Sequence, residues 1–287
     1  MLHVSELLDH LDLEKLEVNL FRGDSRSVGS PRVFGGQVLA QALAAAMGTV
    51  PDDRFVHSLH GYFVLPGDIE KPIVFEVDRI RDGGSFTTRA VKAVQNGAAI
   101  FHLTASFQLN QQGFDHQIEM PKVLPPEELV SYEGMAKQFG DKLPANIIKL
   151  LNIERPLEFR PVEFHNPFSH EKYEPYRNVW LRTKGDMPND QKLHALVLAY
   201  ASDYNLLTTA LLPHGRATDY RNVQIASLDH AMWFHRPFDV SDWLLYAIDS
   251  PSASGARGFN RGHFFNQKGE LVASVVQEGL LRESKSK

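Results

Sequence analysis

The strongest constraint on the fold is an order of elements that the sequence predicts twice. In each half, one apolar helix is followed by a strand and then by a meander of further strands joined through short turns. The first copy is predicted as a helix over 37–47 and strands over 54–65, 73–81, 85–95 and 98–108. The second copy is predicted as a helix over 191–212 and strands over 222–235, 243–249, 257–266 and 270–281. This recurrence predicts a duplicated unit.

The residue letters repeat along with the predicted elements. The string VLA at 38–40 matches VLA at 197–199, and Gly97 before a strand matches Gly269. Glycine-containing turns between the strands favour antiparallel hairpins. We therefore predict an α+β fold of two tandem units, each with an antiparallel sheet wrapped around a central helix, and with the two sheets joined edge to edge.

The predicted units cover residues 10–111 and 156–285, and the second unit is expected to carry the functional residues. Between them, prolines interrupt the periodicity over 112–155, which predicts a connector with short helices near 127–138 and 145–152. Smaller elements are predicted as a helix over 4–11 and strands over 14–21, 157–164 and 178–182.

Composition narrows the class of protein. The chain has 287 residues, of which 43% are apolar and 23% charged, as is typical of soluble globular proteins. The absence of cysteine excludes disulfides, thiolate metal sites and a cysteine nucleophile. A net charge of −5 argues against nucleic acid as the main partner. The N-terminal residues lack a secretory signal and no apolar run approaches the roughly 20 residues that span a bilayer, so we expect a cytoplasmic protein without a membrane partner.

One acid stands out within the predicted second helix. Asp203 lies in the stretch LHALVLAYASDYNLL, where no Lys or Arg stands at helical spacing to pair with it. A buried carboxylate without a partner is costly, so its presence favours a functional role. The ordinary alternative is a carboxylate that faces solvent or pairs with a residue distant in sequence.

Comparison of the two copies points to two more polar residues. In the repeat register, the second copy has Asp203, Ser227 and Gln277 where the first copy has Ala44, Val56 and Ala105. If these positions only filled the core, apolar residues in both copies would suffice. The polar residues of the second copy therefore predict one working site per chain, built mainly by the second unit. Considered alone, Gln277 could instead bond a turn backbone, and Ser227 could be an ordinary strand residue.

A carboxylate, an amide and a hydroxyl around one point suit the activation of water. We expect Asp203 to accept the proton, Gln277 to position the water or the carbonyl, and Ser227 to support that network. A thioester is a fitting substrate because its carbonyl is less resonance-stabilised than that of an amide. Water can therefore attack it without a covalent enzyme intermediate.

Sequence strings along nearly the whole chain resemble one known family. They include RVFGGQVLAQAL, HSLHGYFVLPGD, YASDYNLL, IASLDHAMWFHRPF and LVASVVQEGLLR. These strings resemble the acyl-CoA thioesterase II family, whose members have a double hotdog fold. The resemblance implies hydrolysis of fatty acyl-CoA to free acid and CoA, with the family's catalytic Asp, hydroxyl residue and Gln falling on Asp203, Ser227 and Gln277. Members commonly carry Thr where this chain has Ser227.

The resemblance also implies the partners. Acyl-CoA is the expected substrate, no metal or redox cofactor is expected, and a homo-oligomer (a dimer or tetramer) is expected because hotdog sheets bury exposed faces by association. Arg257 and Arg261 are candidates for binding the CoA phosphates, since paired arginines suit phosphate. A solvated strand edge is the alternative for both.

Two other functions stay open at this point. Asp229 and His235, six residues apart on one predicted strand, resemble the catalytic pair of a hotdog enoyl-CoA hydratase, although the Asp-x-Asn-Pro-x-His string of those enzymes is absent. The second alternative is an acyl-CoA-binding sensor without catalysis. His57 and His60 lack a third ligand at a recognisable spacing, which favours structural roles over metal binding.

Overall fold

The structure is a computed structural model that describes residues 3–140, 148–149, 151–163, 165, 171–215 and 223–283. The first half contains α1 (Val4–Leu11), β1 (Glu14–Glu17), β2 (Leu20–Gly23), α2 (Gly35–Met47), β3 (Phe55–Phe63), β4 (Ile73–Asp82), β5 (Phe86–Gln95) and β6 (Ala98–Gln108). A 3₁₀ helix (Pro126–Glu128) and α3 (Tyr132–Phe139) follow. The second half contains β7 (Leu157–Pro161), β8 (Tyr176–Thr183), α4 (Gln191–Ser202), a 3₁₀ helix (Leu207–His214), β9 (Val223–Ser227), β10 (Asp229–Phe234), β11 (Leu244–Ser254), β12 (Arg257–Asn266) and β13 (Leu271–Glu283).

All the strands described belong to one antiparallel sheet. Its order is β1-β2-β4-β5-β6-β3-β10-β13-β12-β11-β8-β7, with β9 also paired to β13. The order reads alike from either end, because β3, β6, β5 and β4 on one side of the centre match β10, β13, β12 and β11 on the other. At the centre, β3 pairs with β10, so that His230 lies opposite Gly61 and Met232 lies opposite Leu59. The predicted fold class, two antiparallel sheets wrapped around central helices and joined edge to edge, is confirmed.

The two central helices contact each other inside this sheet. Helix α2 has the sequence GGQVLAQALAAAM and is buried along almost its whole length. Its small side chains allow a close approach of α4: a Cβ added at Gly36 would lie 2.4 Å from the backbone oxygen of Tyr200. Glycine at this position is therefore required by packing and not by an unusual φ angle.

The helix predicted over 191–212 is shorter than expected. Helix α4 ends at Ser202, and Asp203 is its C-terminal capping residue rather than a residue near the helix centre. Two residues later, Asn205 adopts a left-handed φ of 66°, which a continuing α-helix does not contain. The chain then resumes as the 3₁₀ helix Leu207–His214. The break places the Asp203 side chain at a helix end, where it is half-buried.

Other predicted elements are corrected at their ends. The strand predicted over 14–21 is in fact the antiparallel hairpin of β1 and β2, with a turn between them. The strand predicted over 222–235 is divided at Leu228 into β9 and β10. The helix predicted near 127–138 is a 3₁₀ turn followed by α3, and half of the helix predicted near 145–152 lies outside the described residues.

One helical stretch among the described residues, Gln191–His214, is long and apolar enough to cross a membrane by length and composition, and 78% of its most apolar window is buried inside the protein. It includes α4, whose apolar residues belong to the main core.

The contact between α2 and α4 gives a first prediction. Gly36→Ala should lower the free energy of unfolding by about 1–3 kcal/mol, because the new methyl group must displace the α4 backbone. Gly84→Ala is the matched control, since a Cβ at Gly84 meets nothing within 4 Å and is expected to change stability by less than about 0.5 kcal/mol. Urea unfolding measures both, and equal midpoints for the two variants would contradict the packing argument.

Candidate active site

Asp203 and Gln277 meet in the interior between the two halves. Gln277 is fully buried on β13, and its Nε2 donates a hydrogen bond to Oδ1 of Asp203 at 2.9 Å. The alternation of β13 turns Val275, Gln277 and Gly279 toward the central helices. The structure therefore brings together two of the three residues that the sequence comparison selected.

The first half supplies the second partner of this carboxylate. Backbone N–H of Gly36 donates to Oδ2 of Asp203 at 2.9 Å. Helix α2 has no side-chain cap of its own, so Asp203 occupies the N-terminal capping position from the other unit. A Cβ at Gly35 would lie 2.8 Å from Oδ2, which makes this residue a requirement of the site. The expectation that the second unit mainly builds the site omitted this contribution, although the sequence shows the pair Gly35 and Gly36 at the start of α2.

Aromatic rings enclose the same region. Phe34 contacts Tyr200 and Tyr204, with ring centroids 5.2 and 4.7 Å apart. Burial raises the pKa of both tyrosines, and the nearby Asp203 charge raises it further, so both phenols stay neutral. Among the described residues, no Lys or Arg forms an ion pair with Asp203. Its charge is instead held by the two N–H donors and the positive end of α2.

His230 is a site residue that the sequence comparison did not select. It is fully buried on β10, with Nδ1 at 3.0 Å from Nε2 of Gln277 and Nε2 at 2.8 Å from Oγ of Ser202. Burial lowers the pKa of His230 to about 4, against a smaller opposing effect of Asp203, so the ring is neutral at pH 7. The Tyr246 hydroxyl donates to the Ser202 carbonyl at 2.7 Å, which extends the network below the site.

A β-bulge arranges these residues. Ser227 on β9 pairs with Gly279, whereas Ala231 on β10 pairs with Val276. Three residues on one strand thus oppose two on β13, which is the geometry of a bulge. Because of it, Ser227 and His230 both take positions on the sheet face that carries Gln277, although they are three residues apart.

Ser227 stands one step away from the contact between Asp203 and Gln277. Its position opposite Gly279 makes it a diagonal neighbour of Gln277, at about 7 Å between Cα atoms. In the described part of the chain, no hydrogen bond joins the Ser227 hydroxyl to Asp203 or Gln277. The register is compatible with a shared ligand but shows no direct contact.

Gln277 and its neighbour Asn260 carry buried polar atoms that have no hydrogen-bond partner among the described residues. Oε1 of Gln277 is buried and has no hydrogen-bond partner among the described residues. Asn260, opposite Gln277 in the pairing of β12 with β13, is fully buried, and within the same set of residues neither its Oδ1 nor its Nδ2 has a partner. Buried amides without partners are rare in proteins and point to a functional constraint.

The predicted phosphate-binding arginines lie on the other face of the sheet. Arg257 and Arg261 alternate with the inward Asn260 on β12 and are about half exposed. Arg257 bonds Glu278 through Nε at 2.8 Å, and Arg261 forms a two-pronged ion pair with Asp249. The pair therefore faces solvent with acids already bound.

The residues of the other hypotheses do not converge. Asp229 accepts a hydrogen bond from the backbone N–H of Glu278 at 2.6 Å, whereas His235 bonds Ser274 at 2.9 Å beyond the other end of β10. Six residues of extended chain separate them by about 20 Å. His57 bonds the Ser106 hydroxyl at 2.8 Å. Among the described residues, no group of three or more His, Asp or Glu side chains could hold a metal ion.

Comparisons with known proteins agree along the whole chain. A family model described as acyl-CoA thioesterase matches residues 148–280, and one described as the acyl-CoA thioesterase N-terminal domain matches residues 22–108. The chain is 42% identical to acyl-CoA thioesterase 2 of Haemophilus influenzae over 281 residues, covering 98% of each chain. It is 43% identical to human acyl-coenzyme A thioesterase 8, covering 95% of this chain and 87% of the relative.

Solved structures are similar as well. The crystal structure of an acyl-CoA thioesterase II from Mycobacterium marinum matches with a TM-score of 0.79 and 42% identity, covering 96% of this chain and 98% of that one. A protein of unknown function with a hot dog fold from Alicyclobacillus acidocaldarius matches with a TM-score of 0.75 at 19% identity, and this likeness concerns the fold alone.

The unpaired amide of Asn260 gives a second prediction. Asn260→Val should raise the free energy of unfolding by about 1–3 kcal/mol, because it removes two buried polar atoms that no described residue satisfies. Asn178→Val is the matched control, since Asn178 Nδ2 donates to Oε1 of Glu163 at 2.7 Å, and its loss should lower stability by about 1–3 kcal/mol. Thermal unfolding distinguishes the signs, and a loss of stability in both variants would contradict the assignment.

Proposed function

Because this chain belongs to the acyl-CoA thioesterase family, we propose that it hydrolyses fatty acyl-CoA to free acid and CoA with water activated by Asp203. The observation that carries the proposal is the carboxylate of Asp203, held by Gly36 N–H and by the Gln277 amide without an ion-pair partner among the described residues. Such a carboxylate retains lone pairs that can accept a proton from water.

The reaction needs one water and no covalent intermediate. Asp203 takes a proton from the water while the water oxygen bonds to the thioester carbonyl carbon. The carbon–sulfur bond then breaks, its electron pair moves to sulfur, and the proton on Asp203 passes to the CoA thiolate. The positive end of α2, adjacent to Asp203, favours the negative charge that develops on the carbonyl oxygen.

The hydrogen bonds of Gln277 support one of its two expected roles. Its Nε2 donates to Asp203 at 2.9 Å and to His230 at 3.0 Å, so both amide hydrogens are engaged. A side chain with no free donor cannot stabilise the thioester carbonyl. Its unpaired Oε1 can accept a hydrogen from water, and we assign Gln277 to positioning that water.

Ser227 supports the same water from the diagonal position on β9. Its register opposite Gly279 lets its hydroxyl approach a molecule bound between Asp203 and Gln277. A hydroxyl can donate and accept, so it fits a water or the substrate carbonyl equally well.

The division of the chain, its location and its association with other copies are further proposals. From the symmetric strand order we infer two units, at 10–111 and 156–285. We also infer that the protein is cytoplasmic and that it forms a homo-oligomer. Exposed apolar side chains such as Tyr62, which is 65% exposed, support association between copies. Arg257 and Arg261 could meet CoA phosphates if these displace Glu278 and Asp249.

The general base gives the third prediction. Asp203→Asn should lower kcat by about 10²–10⁴-fold while leaving the fold intact, because the amide keeps the shape but cannot accept the proton. Thiol release from palmitoyl-CoA, followed with a thiol reagent, measures the rate. Near wild-type turnover in this variant would remove Asp203 from its role.

Asp229→Asn is the matched control because Asp229 is the acid of the hydratase alternative. Its Oδ1 only accepts a backbone hydrogen bond, so thioesterase activity should stay within about threefold of wild type. Hydration of an enoyl-CoA without thiol release would favour the hydratase, and binding of palmitoyl-CoA without either reaction would favour the sensor.

A further inference from the structure

A buried histidine links the Gln277 amide to the Ser202 hydroxyl. His230 lies between them, with contacts of 3.0 Å at Nδ1 and 2.8 Å at Nε2. The His230 side chain is fully buried and does not reach solvent. Its two ring nitrogens are used by protein groups, so it has no free nitrogen for a substrate.

The directions of these hydrogen bonds are determined by their partners. Ser202 Oγ donates to the backbone oxygen of Ala199 at 2.8 Å, so towards His230 it acts as acceptor. His230 therefore carries its proton on Nε2 and leaves Nδ1 as an acceptor. The amide nitrogen of Gln277 can only donate, which independently requires an unprotonated Nδ1.

This tautomer defines the orientation of the Gln277 amide. The last side-chain torsion of glutamine is broad, and one hydrogen bond to Asp203 leaves the amide free to turn about that bond. A second acceptor at Nδ1 of His230 fixes the amide plane. With both hydrogens held, Oε1 is the one polar atom of the amide still free to bind a ligand, and it is buried without a partner among the described residues.

We propose that His230 is a positioning residue of the thioesterase reaction, which acts by holding the Gln277 amide so that Oε1 receives the attacking water. The proposal rests on the function proposed above. The β-bulge at Leu228 and the pairing with Gly61 place the ring opposite Gln277, and Ser202 holds it from the end of α4.

The test compares variants that keep or remove the acceptor. His230→Phe retains an aromatic ring without a nitrogen and should lower kcat by about 10–100-fold with KM within about threefold, since small misplacements of a positioning group cost rates of this order. His230→Asn can present Oδ1 near the former Nδ1 and should recover kcat to within about fivefold of wild type. His235→Phe, a histidine on the other face bonded to Ser274, should leave kcat unchanged.

A double-variant comparison separates positioning from general packing. If His230 acts through Gln277, His230→Phe should cause no further loss of kcat in a Gln277→Ala background. Equal losses in both backgrounds, or failure of His230→Asn to recover activity, would overturn the proposal. A Gln277→Ala variant with wild-type kcat would instead refute the proposed role of Gln277 itself.

The tautomer of His230 can also be measured directly in the wild-type protein. The ¹⁵N shifts of labelled histidine at pH 7 should show His230 as the neutral tautomer with the proton on Nε2, assigned by the signal missing in His230→Asn. A proton on Nδ1 would overturn the proposal.

The pH profile of kcat gives a further check. Protonation of Nδ1 would turn the acceptor into a donor and release the amide, so the wild-type acid limb should contain a step near pH 4. Burial lowers the pKa of His230, and the charge of Asp203 opposes that shift. The other groups around the ring, from Gln277, Ser202, Gly61 and Tyr246, are neutral. His230→Asn should lack that step, and an identical acid limb in both proteins would count against the proposal.

Discussion

The carboxylate of Asp203 joins three segments that are far apart in the sequence. It ends helix α4, accepts the Gly36 N–H at the start of α2, and accepts the Gln277 amide from β13. A charge taken from water to this depth would be costly without such partners, and each hydrogen bond to a charged group contributes about 1.5–3 kcal/mol. The contact between the two halves therefore also supplies the hydrogen bonds that the Asp203 carboxylate accepts.

This meeting requires backbone to approach backbone. The pair Gly35 and Gly36 lets α2 come close to Tyr200 and to the carboxylate, and larger residues at these positions would collide with them. The small residues along the rest of α2 extend the same close packing through the core. Shape and electrostatics are coupled here, because the contact that packs the helices also directs a helix N-terminus at the base.

Divergence between the two copies is the basis for proposing one such site per chain. In the repeat register, the equivalent positions of the first half carry Ala44, Val56 and Ala105. The bulge between β9 and β10 has a counterpart in β3 between Val56 and Ser58, so the asymmetry lies in the side chains: only the second half presents a hydroxyl and an imidazole, Ser227 and His230, to Gln277. Below them, Ser202 bonds both His230 and Tyr246, while Oε1 of Gln277, on the side chain that bonds the base, has no hydrogen-bond partner among the described residues.

The sequence by itself determined the duplicated α+β architecture, the hairpins and the two polar residues, Asp203 and Gln277, that meet. These follow from local periodicity, turn chemistry and a comparison of the repeats, all of which are written along the chain. The tertiary structure decided that α4 stops at Ser202, that Gly36 supplies a donor, and that His230 lies on the same face as Gln277. Hydrogen bonds across 167 residues and a one-residue bulge depend on how distant segments pack, and no local pattern encodes that.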